Sequence, residues 1–221
     1  MKLVRSLGLL AAVLVFSPFA FADGNPVNMQ FTGVNGANDG YYYVSPYTGT
    51  MNGQNVVLFC DDIKNDIYIG ETWTANVTNL GAALSTLSGF ANTRYGGAPG
   101  SPVSNPALAY QEAAWLVSQF ATNTNDLVSL QYALWDIMNP GSEPTSYGDV
   151  STWLYKAGLA SNYSKINASS FLIVTNVGPL QLTGQQQEFI VQTPEPASYA
   201  LILCGALALA ILTIFRARLL A

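Results

Sequence analysis

Residues 71–78 read ETWTANVT. Trp73, Ala75 and Val77 alternate with Thr72, Thr74, Asn76 and Thr78, the period of two that marks a strand with one buried face. Upstream, NMQFTGV (28–34), GYYYVS (40–45) and QNVVLFC (54–60) share its β-branched and aromatic bias, with Asn-Gly, Asp-Gly and proline breaks between them. The run Tyr41-Tyr42-Tyr43 is therefore expected to alternate between core and surface in a strand; lining a carbohydrate surface is its other conceivable use. RYGGAPGSPVSNP (94–106), with three prolines and three glycines, is expected to be irregular.

Past that loop the period changes. Asn105 is a good helix N-cap and Pro106 suits the first turn, followed by the helix formers and apolar stripe of ALAYQEAAWLVSQF (107–120). Asn125 or Asp126 can cap a second helix, in which Leu127, Leu130, Leu134 and Ile137 recur at helical spacing until Asn139-Pro140-Gly141. A third is expected over about 148–161, before the chain returns to strands at SSFLIVTNV (169–177) and QQEFIVQ (186–192). This order predicts an α+β fold: a β-sandwich or barrel with a helical insertion of about three helices.

The two ends carry different signals. Residues 1–22 read as a secretory signal peptide: Lys2 and Arg5, an apolar run from Leu7 to Phe19, and Ala20-Phe21-Ala22 as a cleavage site. At the other end, Pro194-Glu195-Pro196 precedes an uncharged span over 197–215, about long enough to cross a bilayer, then Arg216 and Arg218. In this order the three parts of residues 194–221 resemble the PEP-CTERM sorting signal of Gram-negative bacteria. The resemblance implies processing by an exosortase-type enzyme near Pro194, transient anchoring by the C-terminal helix, and delivery to the cell surface or extracellular matrix.

Residues 23–193 remain as the exported domain. They hold four basic residues (Lys64, Arg94, Lys156, Lys165) against twelve acidic ones, a net charge of −8. Nucleic acid and anionic lipid surfaces need a basic footprint, so neither is an expected partner. With no histidine in the chain, Ser-His-Asp and Cys-His catalysis and imidazole-based zinc sites are excluded in their usual forms. Asp61, Asp62, Asn65 and Asp66 form an oxygen-rich cluster without the EF-hand spacing, and read as a solvated turn in preference to a calcium site. Neither metal nor cofactor is expected.

Cys60 is the one cysteine of this domain, since Cys204 lies in the terminal span. An intramolecular disulfide is ruled out in the mature chain. An unpaired exported cysteine can be a small buried hydrophobe, a half of an intermolecular disulfide, or a reactive group. Gln131 poses a related question. In the second helix Leu127, Leu134 and Trp135 share its face, and an amide buried there without partners costs about 1–3 kcal/mol. Something must satisfy it, and a buried hydrogen bond is the ordinary answer. LQYALW (130–135) is echoed by YQEAAW (110–115), which places Gln111 in the same pattern.

Phe59-Cys60 together with Leu130-Gln131-Tyr132-Ala133-Leu134-Trp135 resembles the internal thioester domain of bacterial surface adhesins, over roughly residues 27–192. That family joins a cysteine preceded by an aromatic or Leu to the glutamine of an apolar-Gln-x-x-apolar-aromatic motif. The resemblance implies a Cys60–Gln131 thioester, with Gln111 as the alternative partner and Phe59, Asp61 and Trp135 as the supporting pocket. Two departures stand out: Asp61 occupies a position usually apolar, and the Pro-Glu-Pro tail replaces a sortase signal. The expected function is an adhesin-like covalent tether, without turnover, to amines on a surface molecule or matrix polymer. The alternative is a non-reactive structural or self-assembling matrix protein in which Cys60 is packing, with strands such as FLIVTNV (171–177) pairing between chains if exposed.

Overall fold

Four segments pair in the N-terminal part of the computed structural model: β1 (Val27–Val34), β2 (Tyr47–Met51), β3 (Gln54–Cys60) and β4 (Thr72–Asn79). The structure describes residues 26–142 and 147–193, together with Gly205. Two further strands, β5 (Phe171–Asn176) and β6 (Phe189–Gln192), complete a closed antiparallel barrel in the order β1-β2-β3-β6-β5-β4. It is a barrel and not a sandwich because β1 pairs with both β2 and β4, which joins the two edges an open sheet would leave free. The β2–β3 hairpin turns on Asn52-Gly53, with φ of 51° and 79°. Two consecutive positive φ values are what a two-residue type I′ turn requires, hence Asn-Gly.

The alternation read in ETWTANVT holds over most of its length: Trp73, Ala75 and Val77 are buried and Thr72 and Thr74 exposed, but Asn76 is half-buried and Thr78 buried. The buried face of the barrel gathers around Phe189, whose ring lies 6.0–6.3 Å from those of Trp73, Phe31 and Tyr47. β5 is buried along its whole length and hydrogen-bonded on both sides, to β4 and β6. It therefore has no free edge, and the expectation that FLIVTNV could pair between chains is corrected.

Among the described residues of Ala22–Thr193, the helices lie in the single connection from β4 to β5. They are α1 (Leu80–Ala83), α2 (Arg94–Gly97), α3 (Pro106–Gln119), α4 (Leu127–Met138), α5 (Val150–Ala157) and α6 (Ala160–Tyr163). Three of these exceed one turn, which is the expected insertion, and α3, α4 and α5 pack on one another. Asn105 caps α3 by accepting from the Leu108 N–H at 3.2 Å, with Pro106 in its first turn. Asp126 stands at the N-cap of α4 without bonding its backbone; its carboxylate instead accepts from the Trp153 indole on α5. The third helix is shorter than the span 148–161, because the chain breaks at Gly158 and restarts as α6.

Two local expectations fail. GYYYVS forms no strand: among these residues only Tyr43 makes an isolated bridge, with Asn38, and Tyr41 and Tyr43 are 90% and 62% exposed. Asp39 organises this loop by accepting from the Tyr41 and Tyr42 N–H groups at 2.8 and 2.7 Å. The strand forms one step later, at YTGTM. The loop 94–106 is likewise not irregular throughout, since Thr93 caps α2 through its hydroxyl and Arg94 at its start is fully buried.

Residues Ala22–Thr193 form one compact unit. Among the described residues no helix is long and apolar enough to cross a membrane. The expected signal peptide and sorting motif, including Pro194, Glu195, Pro196, Arg216 and Arg218, lie outside the described residues.

Candidate functional site

Cys60 ends β3, and Gln131 lies in the middle of α4. Both are wholly buried. The Gln131 amide nitrogen donates to the Cys60 carbonyl at 2.6 Å, and its carbonyl oxygen accepts from the Ser45 N–H at 3.0 Å. These partners fix which end of the carboxamide is which, because a carbonyl can only accept and a peptide N–H can only donate. Ser45 also accepts, through its hydroxyl, from the Cys60 N–H at 2.9 Å. The side chain of Gln131 is thus held against the backbone of Cys60 by a three-residue knot spanning β3, α4 and the segment before β2.

Gln111 does not share this position. It is partly exposed on α3 and donates to the Ala107 carbonyl of its own helix at 2.9 Å. The echo between the two motifs reflects two helices that pack together, with only one glutamine turned inward.

Cys60 is a free thiol. Its S–H donates to the Asp62 carbonyl at 3.2 Å, and the sulfur accepts from the Asp62 N–H at 3.4 Å. Burial, and then the charge of Asp62, push the thiol well above its ordinary range; the Trp135 indole and the Asp62 backbone act in the opposite direction. The Trp135 indole N–H is buried without a hydrogen-bond partner, and its pull toward the charged form of the thiol is outweighed by burial. Trp135 is buried, stacked on Tyr132 and edge-on to Tyr42 with centroids 5.4 Å apart. Phe59 buries against Phe120, the C-cap of α3, with centroids 5.1 Å apart.

The residues after Cys60 correct the expectation of a solvated turn at three of its four positions: Asp61 and Asp62 are fully buried and Asn65 almost so, while Asp66 is exposed. Asp62 forms an ion pair with Arg94 and accepts from Asn65 at 2.9 Å, Lys64 N–H at 3.0 Å and Glu188 N–H at 3.2 Å. Glu188 in turn accepts from the Tyr110 hydroxyl at 2.5 Å, the Arg94 N–H at 2.7 Å and the Thr175 hydroxyl. Asp61 is different. Neither of its carboxylate oxygens has a hydrogen-bond partner. Burial and the charges of Glu188 and Asp62 push its pKa well up, against a smaller pull from Arg94. Burial beside two further carboxyls therefore favours the protonated form of Asp61. Among the described residues there is no group of three or more acidic or cysteine side chains arranged to hold a metal ion.

Sequence reasoning missed Ser45, Arg94, Tyr110 and Glu188. The one available signal was that Arg94 is one of four basic residues in the domain; nothing local marked Ser45, which acts through both its N–H and its hydroxyl. No family model, curated protein or solved structure matches this chain.

Proposed function

We propose that this protein is an exported surface or matrix adhesin whose Cys60 and Gln131 condense into an internal thioester that captures amines covalently. The observation that carries this reading is the Gln131 carboxamide, hydrogen-bonded to the Cys60 carbonyl by its nitrogen and to the Ser45 N–H by its oxygen. The Cys60 thiol gives up its proton and the sulfur adds to the Gln131 amide carbon while the Ser45 N–H stabilises the oxygen that gains negative charge. The departing nitrogen takes a proton from water and leaves as ammonia. A Cys–Gln thioester remains, in a site without exposed surface where water is scarce. A primary amine then adds to the same carbon: the C–S bond breaks, a C–N bond forms, and the amine proton returns to the sulfur. The outcome is one amide tether per molecule, without turnover. Export through the N-terminal signal and exosortase processing at the Pro-Glu-Pro tail belong to the same reading.

One observation favours the second reading, a non-reactive structural matrix protein. Both ends of the Gln131 amide are already satisfied, which is all that packing demands. Intact mass of the purified protein separates the two, with and without methylamine and beside Cys60→Ala. The thioester reading expects a chain short by one ammonia, regained as a methylamine adduct and absent from Cys60→Ala. A full mass with a thiol that is alkylated only after unfolding would leave the structural reading.

A further inference from the structure

Two loops enclose an open groove of about 680 Å³, the tyrosine run on one side and the segment from Ile63 to Ile69 on the other. The tyrosine loop is tied inward by its backbone. Asp39 takes the Tyr41 and Tyr42 N–H groups together with the Tyr132 hydroxyl of α4. The Val44 N–H donates to the Ala37 carbonyl at 2.9 Å, and the Tyr47 hydroxyl to the Tyr43 carbonyl at 2.5 Å. The rings nevertheless face outward: Tyr41 is 90% exposed, Tyr43 62% and Tyr42 44%, with Tyr68 and Ile69 at 72% and 70% across the groove. A loop already fixed in this way loses little conformational freedom when something docks on it.

At about 200 Å² for a whole tyrosine side chain, these five residues present about 700 Å² of largely apolar surface around one groove. An ordinary monomer's largest apolar patch is roughly 300–600 Å². One partner of a stable interface contributes about 800 Å², which the patch and its immediate rim supply. Because the barrel is closed, a partner cannot join it by adding a strand. A sugar would need several converging hydrogen-bond groups. Among the described residues of the lining, Asp66 and Gln187 are the only polar side chains besides the tyrosine hydroxyls.

The shape of the patch selects its occupant. A projection and a recess stand side by side, with Tyr41 at the lip of the open groove. A two-fold axis beside that lip sets each copy's Tyr41 over the other's groove, so the patch meets itself as an isologous interface requires. We infer that this face is the interface of a two-fold homodimer, in which Tyr41 of each copy enters the groove of the other beside Tyr68. The aromatic side chains form the centre of the contact and exposed Asp66 falls at its rim. Each domain carries a net charge of −8, so the two copies repel at long range and salt strengthens the contact by screening. The dimer is compatible with either function above, because neither Cys60 nor Gln131 lines the groove.

The test is sedimentation velocity of the purified protein over a concentration series, in reductant so that no disulfide contributes. A reversible monomer–dimer equilibrium is expected, several-fold tighter at about 0.5 M salt than at about 0.05 M. Tyr41→Ser should weaken it by about tenfold or more and Tyr41→Phe by much less. Tyr155→Ser, at a tyrosine 71% exposed but outside the groove, should leave it unchanged. In a mixture of isotope-labelled and unlabelled copies, Tyr41 of one copy should show ring contacts with Tyr68 of the other. A monomer at every concentration up to about 1 mM would overturn the assignment. So would a dimer indifferent to Tyr41→Ser, or one that salt loosens as it would a charge-driven contact. A protein that stays monomeric while a basic peptide or a neutral oligosaccharide shifts its groove tyrosine signals would give the face to that ligand instead.

Discussion

Burial raises the pKa of two adjacent residues, Cys60 and Asp61, with opposite consequences. Burial disfavours the charged form of each. For Cys60 this restrains a reaction that needs thiolate. Acylation followed by mass after refolding should quicken by roughly tenfold per pH unit from pH 7, with the rise continuing above pH 9. A plateau near pH 8.5 would mean that the sulfur is more solvated than its position indicates. For Asp61 the consequence is thermodynamic. Its folded pKa is raised, so between the ordinary carboxylate range and that raised value the folded chain binds a proton that the unfolded chain has lost. Stability from this residue is thus full in acid and falls as pH rises. Urea unfolding should show the protein less stable at pH 8 than at pH 5, and Asp61→Asn should remove part of that slope. An unchanged slope would assign the proton to Glu188 instead.

At the scale of the element, α4 does three jobs within five residues. Gln131 faces Cys60, Tyr132 holds the tyrosine loop through Asp39, and Trp135, one turn on from Gln131, is buried against Tyr132 and Tyr42. If Trp135 keeps water from an acyl bond, Trp135→Ala should shorten the thioester's life by roughly tenfold, read as conversion of Gln131 to Glu by mass. Trp135→Phe, which retains a ring, should largely preserve it. Equal loss in both would point to general loosening of α4. This helix was legible because its apolar spacing is strong and its ends are marked by Asp126 and Asn139-Pro140. The pairing of Gln131 with Cys60 was reachable through the resemblance of short motifs, while its hydrogen bonds were not. GYYYVS misled because its composition is that of a strand, yet Asp39 captures the N–H groups of Tyr41 and Tyr42 that a ladder would have used. Proline at 46, which lacks an N–H, helps to place β2 after it.

Across the whole molecule, the barrel and the helical insertion are joined at a buried charge network no local pattern announces. Arg94 comes from α2, Asp62 from the β3–β4 connection, Asn176 from β5 and the Gln186 carbonyl from the approach to β6. These groups meet only because the barrel closes, which explains why Asp62 read as solvated and Glu188 as an ordinary strand neighbour. The network also fixes the residue whose backbone bonds the Cys60 sulfur on both sides, so the geometry of the candidate thioester depends on it. Arg94→Met keeps the apolar length and removes the charge, leaving Asp62 and Glu188 buried without their counter-ion. Breaking one side of such a pair costs about 3–5 kcal/mol, so chemical denaturation should find the variant destabilised on that scale at pH 8. The loss should shrink toward pH 4, where the stranded carboxyls take up protons. Ammonia loss should slow along with it, even in the fraction that stays folded, if the network positions the sulfur. A destabilised variant that acylates at the wild-type rate would confine Arg94 to a purely structural part, and would mean that Ser45 and Gln131 alone hold the reacting groups in register.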